Sequence, residues 1–415
     1  MAFGLAALGS WRRRVFSYAV SLDRARRIIN VTLVLHNYRR VAHGLSDVDD
    51  LILAPSRWLR RHNSLTGARS TLCGRSKRSI AGGLAKEHGL RKYYRVFVFR
   101  SGQIVTRILV TGASGFIGRA LVTELANAGH SVRAAMRQPA DVFPRSVEVI
   151  AVSDLTHPVE WRALLKNVAT VIHLAGITHA GPEIAEQAYD RVNRLATAEL
   201  ASAARAVGIG HLVFMSSIRA QSGPVSNLVL RETEPPRPTD AYGRSKLAAE
   251  DAVRAAGVPF TILRPVLIYG PGVKGNFARL MKLAREPWPL PLGLCRNRRS
   301  LLARGSLIDA LNLVLASPAA KGETYVVADP APLTVAEIVT ALRAGEGRRP
   351  GLLPIPPSLI ALGAIAVGLA EEWQRLGGTL VADPTKLMRV GWKPAPDTRA
   401  GLAALVRANS ARNAN

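Results

Sequence analysis

The sequence predicts an α/β protein, a doubly wound parallel sheet with a smaller C-terminal lobe. Three observations predict it. The apolar run Ile108-Leu109-Val110, rich in β-branched residues, passes through a glycine turn directly into "RALVTELANAGH", whose apolar residues recur at helical spacing. Two later apolar runs, "VATVIHLAGI" (Val168 to Ile177) and "HLVFMSSI" (His211 to Ile218), end in small or hydroxyl residues, as parallel strands do where their carboxyl ends approach a ligand. "AYGRSKLAAEDAVRAAG" (Ala241 to Gly257) then reads as an amphipathic helix.

The turn, "TGASGFIG", spaces Gly112, Gly115 and Gly118 three residues apart. Glycines there suit a tight reversal, close approach of a pyrophosphate, and packing of helix on strand. A helix beginning near Phe116 and Ile117 would offer its unpaired N–H groups and positive dipole end to that phosphate. The glycines alone fit an ordinary strand-to-helix turn equally well, so the segments downstream decide. The strand at Val168 to Ile177 ends in Ala175-Gly176, and that at His211 to Ile218 in the hydroxyl pair Ser216-Ser217.

On the helix, Tyr242 and Lys246 stand four residues apart and share a face. An ammonium beside a phenol favours the phenolate, lowering a pKa that is near 10 in water, so that the phenol trades a proton with an alcohol or carbonyl oxygen. A serine hydroxyl at the neighbouring strand end holds the same oxygen. Without the glycine turn and the Ser-Ser strand end, Tyr-x-x-x-Lys would read as a solvated helix face.

Taken in order, "TGASGFIG", "HLAG", "SSI", "YGRSK" and "LRPVLIYGPG" resemble the extended short-chain dehydrogenase/reductases of the nucleotide-sugar epimerase/dehydratase group, over Val105 to about Trp392. The resemblance implies a Rossmann dinucleotide domain over 105–271, with later strands from about 300–330, and a nucleotide-sugar lobe over 272–415. It implies a triad of Ser217, Tyr242 and Lys246, with Lys246 also on the nicotinamide ribose; Ser217 is preferred to Ser216 as the last hydroxyl before the strand breaks into its loop. By the same resemblance Gly112, Gly115, Phe116, Ile117 and Gly118 hold the cofactor, Asp154 and Leu155 flank its adenine, and Ala175 and Gly176 pass along it. Asn193 steadies the central helix, and Arg264, within "LRPVLIYGPG", belongs to the cofactor set. Asn276 lies near the sugar nucleotide, Arg299 on its phosphates, and the chain forms a homodimer. The stretch "PGVKGNF…LPLG…NRRSL" is similar to a UDP-glucose 4-epimerase-like subgroup that includes reductases of UDP-4-keto-6-deoxy-N-acetylhexosamines. It departs from that subgroup at Arg304-Gly305-Ser306, where an Asp-Asn pair is usual. Dehydratases of the family carry Asp-Glu after the catalytic hydroxyl; Ile218 and Arg219 stand there, which argues against dehydration.

The second strand bears on the cofactor. NAD enzymes of this fold place an acid about 20 residues after the first glycine for the ribose hydroxyls. "VRAAMRQPA" (Val132 to Ala140) has none, but offers Arg133 and Arg137, with Arg137 where a 2′-phosphate would be met. NADP is therefore expected over NAD; an exposed loop arginine with NAD held by other contacts is the alternative. NADP fits a reductase, which exchanges cofactor at every turnover. The expected reaction is reduction of a UDP-4-keto-6-deoxy-N-acetylhexosamine at C4. The alternatives are a UDP-glucose or UDP-N-acetylglucosamine 4-epimerase with bound NAD, and a non-catalytic dinucleotide sensor on the same fold.

Residues 1–104 hold 20 of the 56 Lys+Arg and 5 of the 29 Asp+Glu, so a quarter of the chain carries more than half of the +27 net charge. The segment lacks sustained periodicity, a membrane-length apolar run and a signal-peptide cleavage pattern. A nucleic-acid or acidic-membrane arm is disfavoured because its arginines form no helical stripe and no aromatic interleaving. A transit peptide and sequence upstream of a functional start at Val105 compete for the rest, and the second is expected. Two distant cysteines, Cys73 and Cys295, exclude a disulfide framework and fit a reducing cytoplasmic compartment. No Cys/His spacing suggests a metal. "SLIALGAIAVGLA" (Ser358 to Ala370) is too short to span a bilayer and is expected as a buried or dimer-facing helix, with peripheral membrane contact as the lesser alternative, so no stable membrane insertion is expected.

Overall fold

In the computed structural model, the described residues are 107–178, 185–366 and 368–414. The basic extension over 1–104, and the expectation attached to it, lie outside them.

Seven strands form one sheet: β1 (Arg107–Thr111), β2 (Ser131–Met136), β3 (Glu148–Ala151), β4 (Val168–His173), β5 (His211–Met215), β6 (Phe260–Pro265) and β7 (Glu323–Val327). All pairings are parallel and the order is β3-β2-β1-β4-β5-β6-β7. Helices cover both faces, which is why the strands read as unbroken apolar runs. Alternate residues of β1 point to opposite cores. Val110 joins Leu121 and Leu125 of helix α1 (Phe116–Asn127), while Leu109 joins Leu200 of α2 (Ala196–Ala206) and Val253 of α3 (Ala241–Ala255). β1 has β2 on one side and β4 on the other, so the strand order reverses there and opens a crevice at the carboxyl ends of β1 and β4. The Rossmann arrangement thus brings the glycine turn beside the end of β4.

A third cluster, with Phe277, Ile338 and Leu402, gathers helices Gly275–Arg285, Val335–Gly345 and Thr398–Ala414 into the lobe. The second of these starts with a capping box, in which Thr334 and Glu337 each accept from the other's backbone N–H. Leu301–Ala303 returns beside Leu267–Tyr269 as a short parallel pair.

Helix Pro357–Ala366, within the segment expected to be buried or dimer-facing, has no residue buried within the chain, so burial in the chain's own core does not hold. It is apolar all round, and only Ile360 packs against the lobe cluster. Among the described residues, no helix is long and apolar enough to cross a membrane, and no group of His, Cys, Asp and Glu could hold a metal ion.

Candidate active site

The glycine turn is built for close approach. Gly112 has φ +67°, and a Cβ on it would lie 2.8 Å from the Ala175 nitrogen; a Cβ at Gly118 would overlap the Gly112 carbonyl. Helix α1 therefore begins hard against the turn. Gly115 caps it without a side-chain bond, and no acid stands in its first turn, so the N–H end is open to an anion. This cradle fits a dinucleotide pyrophosphate held by Gly112, Gly115, Phe116, Ile117 and Gly118. The Arg304 guanidinium lies 5.0 Å from the centre of the Phe116 ring and bonds the Pro271 carbonyl at 2.6 Å. At the neighbouring departure from the subgroup pattern, Ser306 ties down the chain end, accepting from Ala395 N at 3.1 Å and, through its carbonyl, from Trp392 Nε1 at 3.0 Å.

The end of β4 is set by a hydrogen-bond chain that sequence reasoning missed. Thr197 gives its hydroxyl proton to the Asn193 carbonyl (2.6 Å), so it must accept from His173 Nε2 (3.1 Å). His173 Nδ1 then accepts from Thr111 Oγ1 (2.7 Å), which itself accepts from the Ala175 N–H (3.2 Å). Every donor has one acceptor, which fixes a neutral imidazole with its proton on Nε2. Burial pushes the His173 pKa down to about 3, with the Lys246 charge adding to the effect. Asn193, from a π-helical turn (Asp190–Leu195), clasps both backbone groups of Ile177 and donates to Ser245 Oγ at 3.0 Å. Gly176 passes next to the Asn193 amide and the Lys246 ammonium. The only sequence signal was the histidine of "HLAG", which spacing alone could not link to two threonines on other elements.

A pH dependence of stability follows. His173, and His211 whose pKa burial lowers to about 4, have folded values below the unfolded 6.5. The unfolded chain binds the protons first, so stability is full above pH 6.5 and falls as pH drops towards these values, by about 1.4 kcal/mol per unit for each histidine. Melting temperature measured from pH 7.5 to 5 is expected to drop, and a His173→Gln variant to drop less steeply.

Past β5, the two serines part. Ser216 Oγ turns inward and donates to Glu250 Oε1 at 2.5 Å. Ser217 caps a short 3-10 turn, accepting from Arg219 N at 3.2 Å, and its hydroxyl bonds that of Tyr242. Asp240 caps α3 through Gly243 N at 2.7 Å and pairs with Arg219. Tyr242 and Lys246 follow on one face of α3, both buried. Lys246 Nζ donates to the Met215 carbonyl at 3.0 Å and lies 4.9 Å from the centre of the Phe214 ring. Ser217, Tyr242, Lys246 and Gly176 thus converge at the crevice.

Several sequence expectations need correction. The Tyr242 pKa is not lowered: burial pushes it up to about 12, against smaller lowering effects of Ser217 and Arg219, and Lys246 is not among the causes. Burial lowers Lys246 itself to about 8, partly offset by Glu250. Arg264 does not face the crevice. It is buried behind Ser216, bonded to Glu250 through two nitrogens (2.8 and 2.6 Å) and to Gln221 at 3.1 Å, because a buried guanidinium must be neutralised. Arg133 is not available for a phosphate either, since it donates to the Leu164 and Lys166 carbonyls and pairs with Glu148. Leu155 is buried in the core with Trp161.

Arg137, directly after β2, is exposed and 3.8 Å from Asp154. Arg299 is held by the Gly378 and Pro224 carbonyls at 2.7 and 3.1 Å, and burial together with Arg219 lowers its pKa to about 10. Asn276 is exposed in the first turn of its helix, and its side chain has no hydrogen-bond partner among the described residues.

Comparison with known proteins meets this geometry. The profile of the "NAD dependent epimerase/dehydratase family" matches residues 108–328. The chain is 31% identical over 298 residues to a UDP-glucose 4-epimerase of Vibrio cholerae, covering 69% of this chain and 90% of the relative. It is 30% identical over 304 residues to a ceramide reductase of Caulobacter vibrioides, covering 69% and 86%. Among solved structures, MoeE5 in complex with UDP-glucose and NAD is similar, with a TM-score of 0.60 and 28% identity over 74% of this chain and 100% of that one.

Proposed function

The chain belongs to the NAD dependent epimerase/dehydratase family, and on that premise we propose that it reduces the C4 carbonyl of a UDP-linked 4-keto-6-deoxy-N-acetylhexosamine, using NADPH. When bound, the nicotinamide supplies hydride to that carbon. Tyr242 supplies the proton to the carbonyl oxygen. A phenol held near pKa 12 is protonated at neutral pH, which suits an acid in the reductive direction. Ser217, bonded to the phenol, donates to the same oxygen, and Lys246 stands one turn along α3, where it holds the ribose. Gly112, Gly115, Phe116, Ile117 and Gly118 hold the pyrophosphate, Asp154 borders the adenine, and Ala175 and Gly176 carry the backbone past the cofactor. Arg299, a cation held by carbonyls alone among the described residues, suits the diphosphate of a nucleotide sugar, and Asn276 is assigned to the sugar nucleotide.

The observation that carries the reductase reading is Arg137. It occupies the end of β2, where an acid would meet the ribose hydroxyls, and its side chain is 76% exposed. A guanidinium there favours a 2′-phosphate and disfavours nothing in NADPH. The second reading, a UDP-sugar 4-epimerase with retained NAD, is favoured by the Vibrio relative and by the cofactor and sugar nucleotide in the MoeE5 complex.

The ketosugar is incubated with NADPH or NADH, and UDP-N-acetylglucosamine is incubated in parallel without added cofactor. Expected is NADPH consumption with kcat/KM about tenfold or more above that with NADH, from one charge-assisted contact. Arg137→Glu is expected to reverse the preference. Isomer formed without added cofactor, and no oxidation of NADPH, would establish the epimerase instead.

A further inference from the structure

Arg343 is 2% exposed, and its guanidinium donates to five backbone carbonyls, those of Ala284, Glu286, Trp288, Pro350 and Gly351. One buried side chain thereby ties the end of helix Gly275–Arg285, the Trp288 loop and the turn at 348–351 into a single edge of the lobe. Leu290 continues it, donating to Gly351 O and accepting from Leu353 N at 2.8 Å, just before helix Pro357–Ala366.

Large apolar groups stand in water on this edge. Trp288 is 56% exposed, Leu362 65% and Ile365 63%, with Leu359 also exposed. At about 100° per residue, Leu359, Leu362 and Ile365 occupy one side of the helix, and Ile360, which packs on the lobe cluster, occupies the other. The exposed side is therefore a second apolar face. Cations lie on the same tied segments: Arg285 and Arg348, which share Glu346, and Lys282 and Arg349, which have no ion-pair partner among the described residues.

We propose that this edge is a docking surface for an anionic lipid bilayer. The helix and Trp288 would sit at the boundary between headgroups and acyl chains, with Lys282 and Arg349 facing lipid phosphates. Ten helical residues rise only about 15 Å, half a hydrocarbon core, so the helix lies along the surface and does not cross it. Charge favours the bilayer over a second copy of the chain. Residues 105–415 hold 36 Lys+Arg against 24 Asp+Glu, and a self-complementary contact at this edge would set the cations against one another.

Hydrogen exchange of the full chain, alone and with vesicles of phosphatidylglycerol and phosphatidylcholine or of phosphatidylcholine only, tests this. Exchange over 286–292 and 357–366 is expected to slow several-fold with the anionic vesicles. At 0.5 M salt, where the basic extension is screened, a Leu362→Asp/Ile365→Asp variant is expected to bind them about tenfold more weakly, or worse, since each buried leucine or isoleucine contributes about that factor. Its melting temperature and its turnover of a water-soluble substrate should match the parent. Protection confined to residues 1–104, no protection at all, or protection at 357–366 that needs no vesicles and grows with protein concentration would overturn the proposal. The last result would mean a second copy covers the helix.

Discussion

Replacing Tyr242 by Phe will lower kcat by about 10²–10⁴-fold, the range for removing a positioned general acid, and will leave the fold and the dinucleotide affinity intact. The ring is already packed for a phenylalanine. It is buried on α3 with the Tyr189 ring 6.0 Å away, edge to face, so the ring packing is kept while the hydroxyl and its bond to Ser217 are lost. The split between turnover and cofactor binding separates a proton donor from a structural tyrosine. A variant keeping more than a tenth of parental kcat would remove Tyr242 from the chemistry.

The second large effect is on stability. Glu250 is 0% exposed and accepts from Ser216, from two nitrogens of Arg264, and from Arg254 at 2.9 Å. Glu250→Ala strands the Arg264 guanidinium, 3% exposed, in the core with only Gln221 for a partner. Breaking such a buried pair from one side costs about 3–5 kcal/mol, measurable as a shifted urea midpoint. Adding Arg264→Met should recover much of the loss, because it removes the stranded charge. Parental stability in the single variant would show that the pair is not what orders this end of β5.

These two residues mark how far the sequence could be read. The sheet and the crevice were legible because they rest on local signals: the apolar run before Gly112, the glycine spacing, the small residues ending β4, and Tyr242 and Lys246 one helical turn apart. Arg264 was misread because its partner lies 14 residues earlier, on α3, and only the packing of α3 over β6 brings them together. Arg133 was misread for a related reason. It lies on β2 itself and turns to Glu148 and to carbonyls on a neighbouring connection, while Arg137, just past the strand end, remains exposed. The Tyr242 pKa followed burial where the sequence offered only a neighbouring charge. For helix Pro357–Ala366 the core reading fails: a strongly apolar segment usually belongs in a core, and no periodicity showed that the lobe cluster meets it at Ile360.

In the proposed reaction, Tyr242 and its neighbours direct hydride to C4 of a ketosugar with net consumption of cofactor. The most direct measurement uses NADPH deuterated at the transferring nicotinamide position, with the UDP-4-ketosugar, and mass and NMR analysis of the product. One deuterium is expected at C4 of the sugar for each NADPH oxidised. NADPH left unoxidised by the ketosugar, while UDP-N-acetylglucosamine is converted to its C4 epimer without added dinucleotide, would contradict it.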